Sequence, residues 1–321
     1  MGVTDIAAPL AGQSVWGYAL SGVALASFAT AILATKAASN RANLELGFLV
    51  ALIVNVVFAG CALAVHTAIR GSGPPWNASA FFLFAASGVF TTYLGRWLFY
   101  ESVVRFGPAK ASLFQVSSPL FVALSAWLLL GERLSVWAVM GMLMAISGLA
   151  LIAYKPGFFS FKKVEVSQKQ VSFLKRILQS VFLLGLFSSG AYAVGNLLRG
   201  AAVRTWPEPI AGALIGALTG LAFHYFLSKD KASLVSRLRA AQSRGLWLYA
   251  LVGVANITGQ IATIASMRYI PLSVAALVSL CTPLLVFPLS YWLFKNQERL
   301  TWPVVAGSVL TLLGMVIVVL R

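Results

Sequence analysis

Apolar residues follow one another along this chain in long runs, and most polar residues lie in the short stretches between them. Each run is about 20 residues long, the length that an α-helix needs to cross the hydrocarbon core of a bilayer. The pattern therefore predicts ten membrane-spanning helices. Their bounds are about 15–36, 45–66, 79–104, 109–130, 135–154, 177–200, 208–227, 245–268, 273–294 and 302–320.

Composition and charge are typical of a membrane protein and exclude most soluble classes. Of the 321 residues, 60% are hydrophobic and 10% are charged, against about 45–50% and about 25% in soluble domains. The excess of 24 Lys and Arg over 8 acidic residues would suit a nucleic-acid-binding protein. Basic cytoplasmic loops of membrane proteins produce the same excess. We therefore expect a lipid bilayer as the surroundings and no nucleic-acid partner.

The two halves of the chain share short motifs at a nearly constant spacing of 163–166 residues. A collinear series of this kind indicates a duplicated unit of five spans. A repeat with an odd number of spans must enter the membrane in opposite directions, so a pseudo-two-fold axis in the membrane plane is predicted, with a substrate site at the repeat interface. We expect one repeat in residues 1–154, a basic linker in 155–176 and the second repeat in 177–321. The matched pairs are Gly131–Ser135 with Gln297–Thr301, Ser118–Leu120 with Thr282–Leu284, Gly95–Arg96 with Gly259–Gln260, Gly141 with Gly307, Gly148 with Gly314, and Lys36 with Arg199.

Three features of the sequence resemble those of the drug/metabolite transporter superfamily, specifically of its EamA-type members. They are the Glu-Arg-Leu turn that closes each block, the glycine-bearing helix after it, and the stretch Ser27–Lys36 in the first span. The resemblance implies an all-α membrane protein with ten transmembrane helices, arranged as two inverted five-helix repeats around a central cavity. Spans 1–4 and 6–9 would surround that cavity, with spans 5 and 10 at the periphery. We expect a multi-pass protein of the plasma membrane, which in a bacterium is the inner membrane.

Polar residues within the spans are the candidates for a substrate site. A polar group in hydrocarbon is costly unless it faces the bundle interior or a water-filled cavity. Several of them share one face of their helix at i, i+4 or i+7 spacing. The alternative is that they only join helices through hydrogen bonds. The predicted cavity lining consists of Thr92, Tyr93, Arg96, Tyr100, Gln115, Tyr192, Asn196, Asn256, Gln260, Thr263, Ser279 and Thr282.

Two charged residues lie within the third span. An Arg at the centre of a membrane helix costs about 2.5–3.5 kcal/mol on insertion scales. Arg96 is therefore expected to recognise a carboxylate or phosphate on a substrate, or else to reach the nearer interface or pair with a carbonyl. Glu101 is the only carboxylate in the interior of a predicted span, because the other acidic residues lie in connections or at span ends. It is therefore the candidate proton carrier if protons drive transport. The alternative for Glu101 is an ion pair with Arg105 at i+4.

These features favour a secondary transporter that moves small metabolites, amino acids or drug-like compounds across the membrane by alternating access, in the export direction. The sequence has no P-loop, so the gradient of an ion or of the substrate must drive movement. It also has no HExxH, no GxSxG and no cysteine pattern for a metal, so we expect no catalytic residues, metal or cofactor. The alternative on the same fold is a flippase of lipids or lipid-linked substrates.

The distribution of basic residues predicts how the chain is oriented. An extracytoplasmic N-terminus would place most Lys and Arg of the connections in the cytoplasm, as the positive-inside rule requires. In that arrangement Arg199 counts among the few cations outside. The family resemblance points the other way, toward a cytoplasmic N-terminus.

Paired glycines in the fifth and tenth spans predict flat helix faces. Gly141 and Gly148 lie seven residues apart, as do Gly307 and Gly314. Small residues let two helices approach closely in a membrane. These faces are expected to pack within the chain or to face lipid or, alternatively, to form the contact of a homodimer.

Overall fold

The computed structural model describes residues 11–115, 117, 118, 121, 136–153, 181–228, 242–270, 281–294 and 302–320. All regular secondary structure in these residues is helical, and one helix overlaps each predicted span. The predicted linker 155–176 lies outside the described residues. The helices are α1 (Ala11–Ser39), α2 (Leu44–Arg70), α3 (Ala78–Phe106), α4 (Pro108–Gln115), α5 (Val136–Ala153), α6 (Val181–Thr205), α7 (Pro209–Leu227), α8 (Ser243–Ser266), α9 (Thr282–Leu293) and α10 (Trp302–Leu320).

Five of the described helices are long and apolar enough to cross a membrane, namely α1, α2, α3, α7 and α8. Shorter apolar stretches lie in α5, α9 and α10. Large apolar side chains such as Ile69 and Phe226 are exposed on the outer surface, where hydrocarbon would cover them. Trp16, Trp76 and Trp247 are exposed near helix ends, as in the aromatic belts of membrane proteins. The chain has the surface of a membrane protein.

The ends of α2 and α3 are set by local capping. Asn43 accepts a hydrogen bond from the backbone N–H of Glu45 and begins α2, and Asn77 does the same for Ala80 at the start of α3. The helix α2 ends at Gly71, whose φ of 71° suits glycine. Gly107, with a φ of 92°, makes the tight turn between α3 and α4 that the sequence predicts.

Two long antiparallel pairs form the frame of the bundle. The helix α1 lies along α8, with Gly17 near Ile270 at one end and Phe28 near Gly259 further along. The helix α3 lies along α6, which has Ser188 bonded to the Gly95 carbonyl and Gly195 against Thr91. Each pair therefore joins a helix of the first half to one of the second.

The helices α2 and α7 connect these two pairs, because α7 crosses α3 and α2 crosses α8 at glycine residues, with both helices of each crossing running in the same direction. At the crossing of α3 and α7, a Cβ on Gly88 would lie 2.5 Å from the carbonyl oxygen of Gly216. At the crossing of α2 and α8, a Cβ on Gly253 would lie 2.8 Å from the carbonyl oxygen of Ala51. The helix α2 also packs against α7. Glycine at Gly88 and Gly253 thus lets the backbones approach more closely than any other residue would.

The helices α5 and α10 form a third antiparallel pair. Gly141 meets Gly314, and Gly148 meets Gly307. A Cβ on Gly148 would lie 2.6 Å from the Gly307 carbonyl oxygen. The glycine faces predicted for these helices therefore pack against each other within the chain, and this surface is not available for a homodimer.

The helix α3 departs from the regular helix that the sequence predicts, because Gly88–Gly95 is π-helical. A Cβ on Gly95 would lie 2.8 Å from the carbonyl oxygen of Phe90, so the wide turn closes tightly there. The Thr91 hydroxyl donates to the carbonyl of Ser87 at 2.8 Å within the same stretch. Single π turns inside α-helices are frequent at functional sites, and this one ends immediately before Arg96.

Candidate functional site

Buried polar side chains meet where α3, α6 and α8 come together. The Arg199 Nη2 atom donates to Gln260 Oε1 at 2.5 Å and lies 3.5 Å from the Thr92 hydroxyl. The Thr92 hydroxyl itself donates to Gln260 Oε1 at 3.2 Å. We call Thr92, Arg96, Arg199 and Gln260 the polar cluster. It joins a helix of the first half to two helices of the second.

The polar cluster is almost completely buried and is short of acceptors. Arg96 is 2% exposed, Arg199 is 3% exposed and Gln260 is fully buried. Each has one buried nitrogen without a hydrogen-bond partner in the described part of the chain, namely Arg96 Nη1, Arg199 Nε and Gln260 Nε2. An unpaired buried polar group costs about 1–3 kcal/mol, and more when it is charged. All three atoms are donors, so what is missing at this point is an acceptor.

No described carboxylate pairs with either arginine of the polar cluster. Glu101 binds Arg105 at 2.7 Å, and Glu208 binds Arg70 at 2.5 Å. Glu45 lies in the first turn of α2. Arg96 lies four residues after Thr92 on α3, and the Thr92 hydroxyl lies 3.5 Å from Arg199 Nη2. The described residues therefore leave a concentrated positive charge at the centre of the bundle.

A second layer of predicted cavity residues surrounds the polar cluster. The Asn256 side-chain amide donates to the hydroxyl of Tyr100, which joins α8 to α3. Tyr100 is 1% exposed and interacts electrostatically with Arg96. Tyr192 packs edge-on against Phe99, with ring centroids 6.5 Å apart. These contacts bring Thr92, Arg96, Tyr100, Tyr192, Asn256 and Gln260 of the predicted set into one region.

Other predicted cavity residues lie apart from this region or bond within the scaffold. The Gln115 amide donates to the Ser188 hydroxyl at 2.9 Å and so joins α4 to α6. The Thr263 hydroxyl donates to the Gly259 carbonyl of its own helix at 2.8 Å. For these two residues the structural alternative describes what the side chain does. Of the rest, Tyr93 and Asn196 are half-buried, Thr282 is buried at the start of α9, and Ser279 lies outside the described residues.

Glu101 forms the ion pair that was the alternative to a proton carrier. Its Oε2 atom lies 2.7 Å from Arg105 Nε, one turn further along α3. The Glu101 side chain is 16% exposed and that of Arg105 is 39% exposed, so the pair lies near the end of the helix rather than in the polar cluster. A role in proton transfer stays a prediction.

The predicted cavity lining left out Arg199, although this residue lies on a polar stripe of the sixth predicted span. Counting it among the outer cations was wrong, because the helix α6 continues to Thr205 and carries Arg199 inside the bundle. Two signals in the sequence could have assigned it to the cavity. Arg199 follows Tyr192 and Asn196 on one helical stripe, and it corresponds in the repeat to Lys36, another cation within a span.

His224 is a further buried group that the sequence did not single out. It is 6% exposed, and its Nε2 atom has no partner among the described residues. The ring lies 5.1 Å from that of Phe48, 6.0 Å from Trp97 and 6.2 Å from Tyr93. His224 therefore belongs to an aromatic group on α2, α3 and α7.

One open pocket of about 320 Å³ lies at the helix ends, away from the polar cluster. It is formed where α2 ends, α7 begins and α8 has just ended. The ion pair between Arg70 and Glu208 crosses it, and His66 and Arg268 contribute further basic side chains. Among the described residues no group of His, Cys, Asp and Glu could hold a metal ion, there or elsewhere.

Comparison with known proteins identifies the family. Residues 15–154 match the model of the EamA-like transporter family. This match places residues 15–154, the first predicted repeat, in the EamA-type group of the drug/metabolite transporter superfamily. This confirms the resemblance carried by the sequence motifs. The EamA-type protein is accordingly a multi-pass protein of the plasma membrane that acts on small molecules.

Comparisons over the whole chain support the fold alone. No curated protein matches the EamA-type protein. One solved structure, described only as the crystal structure of a protein, covers 95% of this chain and 97% of its own with a TM-score of 0.57. The sequence identity is 16%. The likeness therefore extends to both halves of the EamA-type protein but carries no information on its substrate.

Proposed function

We propose that this EamA-type protein is a secondary active transporter that exports small metabolites, amino acids or drug-like compounds by alternating access. The polar cluster is the observation that carries the proposal. It joins α3 to α6 and α8 deep inside the bundle, at the boundary between the two halves. Carriers built from inverted repeats place their substrate at such a boundary and move it by rocking one repeat against the other.

The helix pairings support two inverted five-helix repeats. When each helix is exchanged with the one five places later, the α1–α8 pair becomes the α6–α3 pair, and α2–α8 becomes α7–α3. The α2–α7 and α5–α10 pairs are each exchanged into themselves. The contact of Gly141 with Gly314 becomes that of Gly307 with Gly148, and both contacts exist. A two-fold axis relating residues 1–154 to 177–321 would produce this pattern.

The polar cluster is also a contact between the two halves that would have to open during alternating access. Thr92, Arg199 and Gln260 bond directly to one another, so the two halves are in contact at this level. Transport would require these bonds to separate and a substrate to take their place. The sequence has no P-loop, so the gradient of an ion or of the substrate would supply the energy.

Accessibility of Thr92 tests the alternating-access part of the proposal without knowledge of the substrate. Cys61 and Cys281 are both exposed and would first be replaced by serine. In sealed proteoliposomes we expect Thr92→Cys to react with a membrane-impermeant thiol reagent added on either face. The matched control is Ala59→Cys, because Ala59 is fully buried in apolar contacts and should not react. Reaction of Thr92→Cys from one face only, or from neither, would contradict the proposal.

Flux measurements test transport itself. Purified protein would be screened by thermal shift against a metabolite library, and stabilising compounds would then be followed in proteoliposomes with and without a pH gradient. We expect at least one compound to move faster than in protein-free vesicles, and faster in the export than in the import direction. If no stabilising compound crosses in either direction, the protein is not a transporter of these classes.

A further inference from the structure

We propose that the polar cluster binds an oxyanion, a carboxylate or a phosphate group, through Arg96, Arg199 and Gln260. The inference rests on the proposed function and narrows its substrate class. Sequence reasoning offered Arg96 alone as a recognition residue. The structure adds a second buried arginine and an oriented amide at the same place.

The charge of the cluster favours an anion over other ligands. Arginine is a cationic side chain, and these two arginines have no carboxylate partner among the described residues. Burial of such charges is unfavourable unless an opposite charge compensates them. A cationic ligand would add repulsion, and a neutral ligand would leave the charge as it is. An anion compensates it.

The hydrogen bonds of the cluster specify the same class. Gln260 Oε1 already accepts from Arg199 and from Thr92, which fixes the amide so that its nitrogen remains a donor. Within the polar cluster, Gln260 Nε2, Arg96 Nη1 and Arg199 Nε are buried donors that have no partner among the described residues. Carboxylate and phosphate groups offer several acceptor oxygens within a small volume, and the guanidinium fork matches their geometry.

The residue that corresponds to Arg199 in the first half is a cation whose hydrogen bond is made by the protein itself. Lys36 is the corresponding residue in the first half. Its Nζ atom donates to the carbonyl of Val104 at 2.9 Å, near the end of α3. Arg199 instead contacts the side chains of Thr92 and Gln260, and its Nε has no partner in the described part of the chain. The two halves therefore use the same position differently, which favours a ligand-binding role for Arg199.

Binding to the wild-type protein tests the inference directly. The full chain, purified in a non-ionic detergent, would be titrated with sodium succinate, sodium phosphate and, as a neutral control of the same shape as succinate, succinamide. Ionic strength would be held constant with sodium chloride. We expect succinate or phosphate to raise the melting temperature saturably, with a dissociation constant at least tenfold lower than that of succinamide. If neither anion stabilises the protein more than succinamide, the inference is wrong.

Variants assign the binding to the cluster. We expect Arg96→Gln and Arg199→Gln each to raise the dissociation constant of the anion at least tenfold, and lysine at either position to recover part of the affinity. Arg41→Gln is the matched control, because Arg41 is an exposed cation on the α1–α2 connection, and should change the constant less than twofold. If Arg41→Gln weakens binding as much as the other two, the anion is held by general surface charge and the inference falls. Should the glutamine variants not fold, the comparison of succinate with succinamide still decides.

The anion could belong to a solute or to a lipid headgroup, and nanodiscs distinguish these sources. If phosphatidylglycerol, but not phosphatidylcholine, prevents succinate binding and Arg96→Gln removes that competition, the oxyanion is a lipid phosphate. If both lipids leave succinate binding unchanged, the oxyanion is carried by a solute.

Flux separates this inference from the proposed function. Transport of a neutral or cationic compound without anion binding would support the transporter proposal and overturn the oxyanion proposal. Anion binding without flux would support the oxyanion proposal and overturn the transporter proposal.

Discussion

Arg96 and Arg199 approach the centre of the bundle from different helices, and each is almost fully buried. Like charges repel more strongly in a low-dielectric interior than in water. Neither arginine has a carboxylate partner among the described residues, so the polar cluster should be a local source of instability whenever no anion is bound to it. Sites kept for function often reduce stability in this way.

This reasoning predicts opposite effects for two arginine substitutions. Arg199→Met removes an uncompensated buried charge, and we expect it to stabilise the ligand-free protein by about 1 kcal/mol or more while abolishing transport. Arg70→Met breaks the ion pair with Glu208, whose side chain is only 10% exposed, and should destabilise the protein. Thermal unfolding in detergent, with flux in proteoliposomes, measures both. A lower melting temperature for Arg199→Met would mean that the protein itself compensates the charge.

The ion pair of Glu101 leads to a second prediction at this scale. A helical i,i+4 pair contributes about 0.3–0.5 kcal/mol, so Glu101→Gln should have little effect on stability. Because Glu101 binds Arg105 and not the polar cluster, we expect the pH dependence of flux to persist in Glu101→Gln. Flux would be measured across a range of pH in both proteins. Loss of the pH dependence with exchange preserved would instead identify Glu101 as the proton carrier.

The sequence could indicate some of these residues and not others for a physical reason. Helical periodicity fixes which side chains share a face, so Thr92, Arg96 and Tyr100 could be grouped in advance. The depth of a residue in the membrane depends on where its helix ends. The sixth predicted span, 177–200, ends one residue after Arg199, whereas the helix α6 runs to Thr205 and so carries Arg199 away from its end and into the bundle.

At the scale of the helix, close crossings and the π segment position the site. The π segment Gly88–Gly95 contains Thr92, and Gly88 at its start crosses Gly216 of α7. Hydropathy predicts a continuous third span but cannot reveal a π turn, because the turn changes the hydrogen-bond pattern and not the composition. The equivalent helix α8 is a regular α-helix. The two halves therefore differ in their backbone at the point where they meet.

Because Gly88 lies at the crossing of α3 and α7 and Gly60 does not, alanine at these two positions should change the stability of the protein in opposite directions. Gly60→Ala in α2 adds a methyl group to open space and should stabilise the helix by up to about 1 kcal/mol. Gly88→Ala would place its methyl group 2.5 Å from the Gly216 carbonyl oxygen, and we expect a loss of about 1–3 kcal/mol from overpacking. Thermal unfolding of the two purified variants gives the comparison. Equal melting temperatures would show that α3 and α7 can separate at this point without cost.

For the whole molecule, the helix pairs define two ends of the bundle. One end holds the α1–α2 connection and the start of α8, because Gly245 contacts Arg41 and Ala42. The other holds the α2–α3 connection, the start of α7 and the end of α8. Ten helices could be expected from hydropathy alone, but their pairing could not. A run of apolar residues fits many neighbours equally well, and the glycines that select α3 with α7 become informative only once both backbones are placed.

The same two ends make the orientation of the protein testable. With Arg199 inside the bundle, the extracytoplasmic end predicted from loop charge holds one cation fewer, which strengthens the positive-inside argument for an outer N-terminus. The α2–α3 connection would then face outward and the α1–α2 connection would face the cytoplasm. After Cys61 and Cys281 are replaced by serine, single cysteines can report each end. Ser72 and Asn40 are both exposed and suit this purpose.

We expect an impermeant maleimide to label Ser72→Cys in intact cells, whereas Asn40→Cys should react only after the membranes are opened. Total labelling in detergent is the control for reactivity, since both sites should then react fully. The reverse pattern would place the N-terminus in the cytoplasm, as the family resemblance implies. In that case the basic loops would face outward, contrary to the positive-inside rule. Packing between the two halves would then have to hold the protein in this orientation.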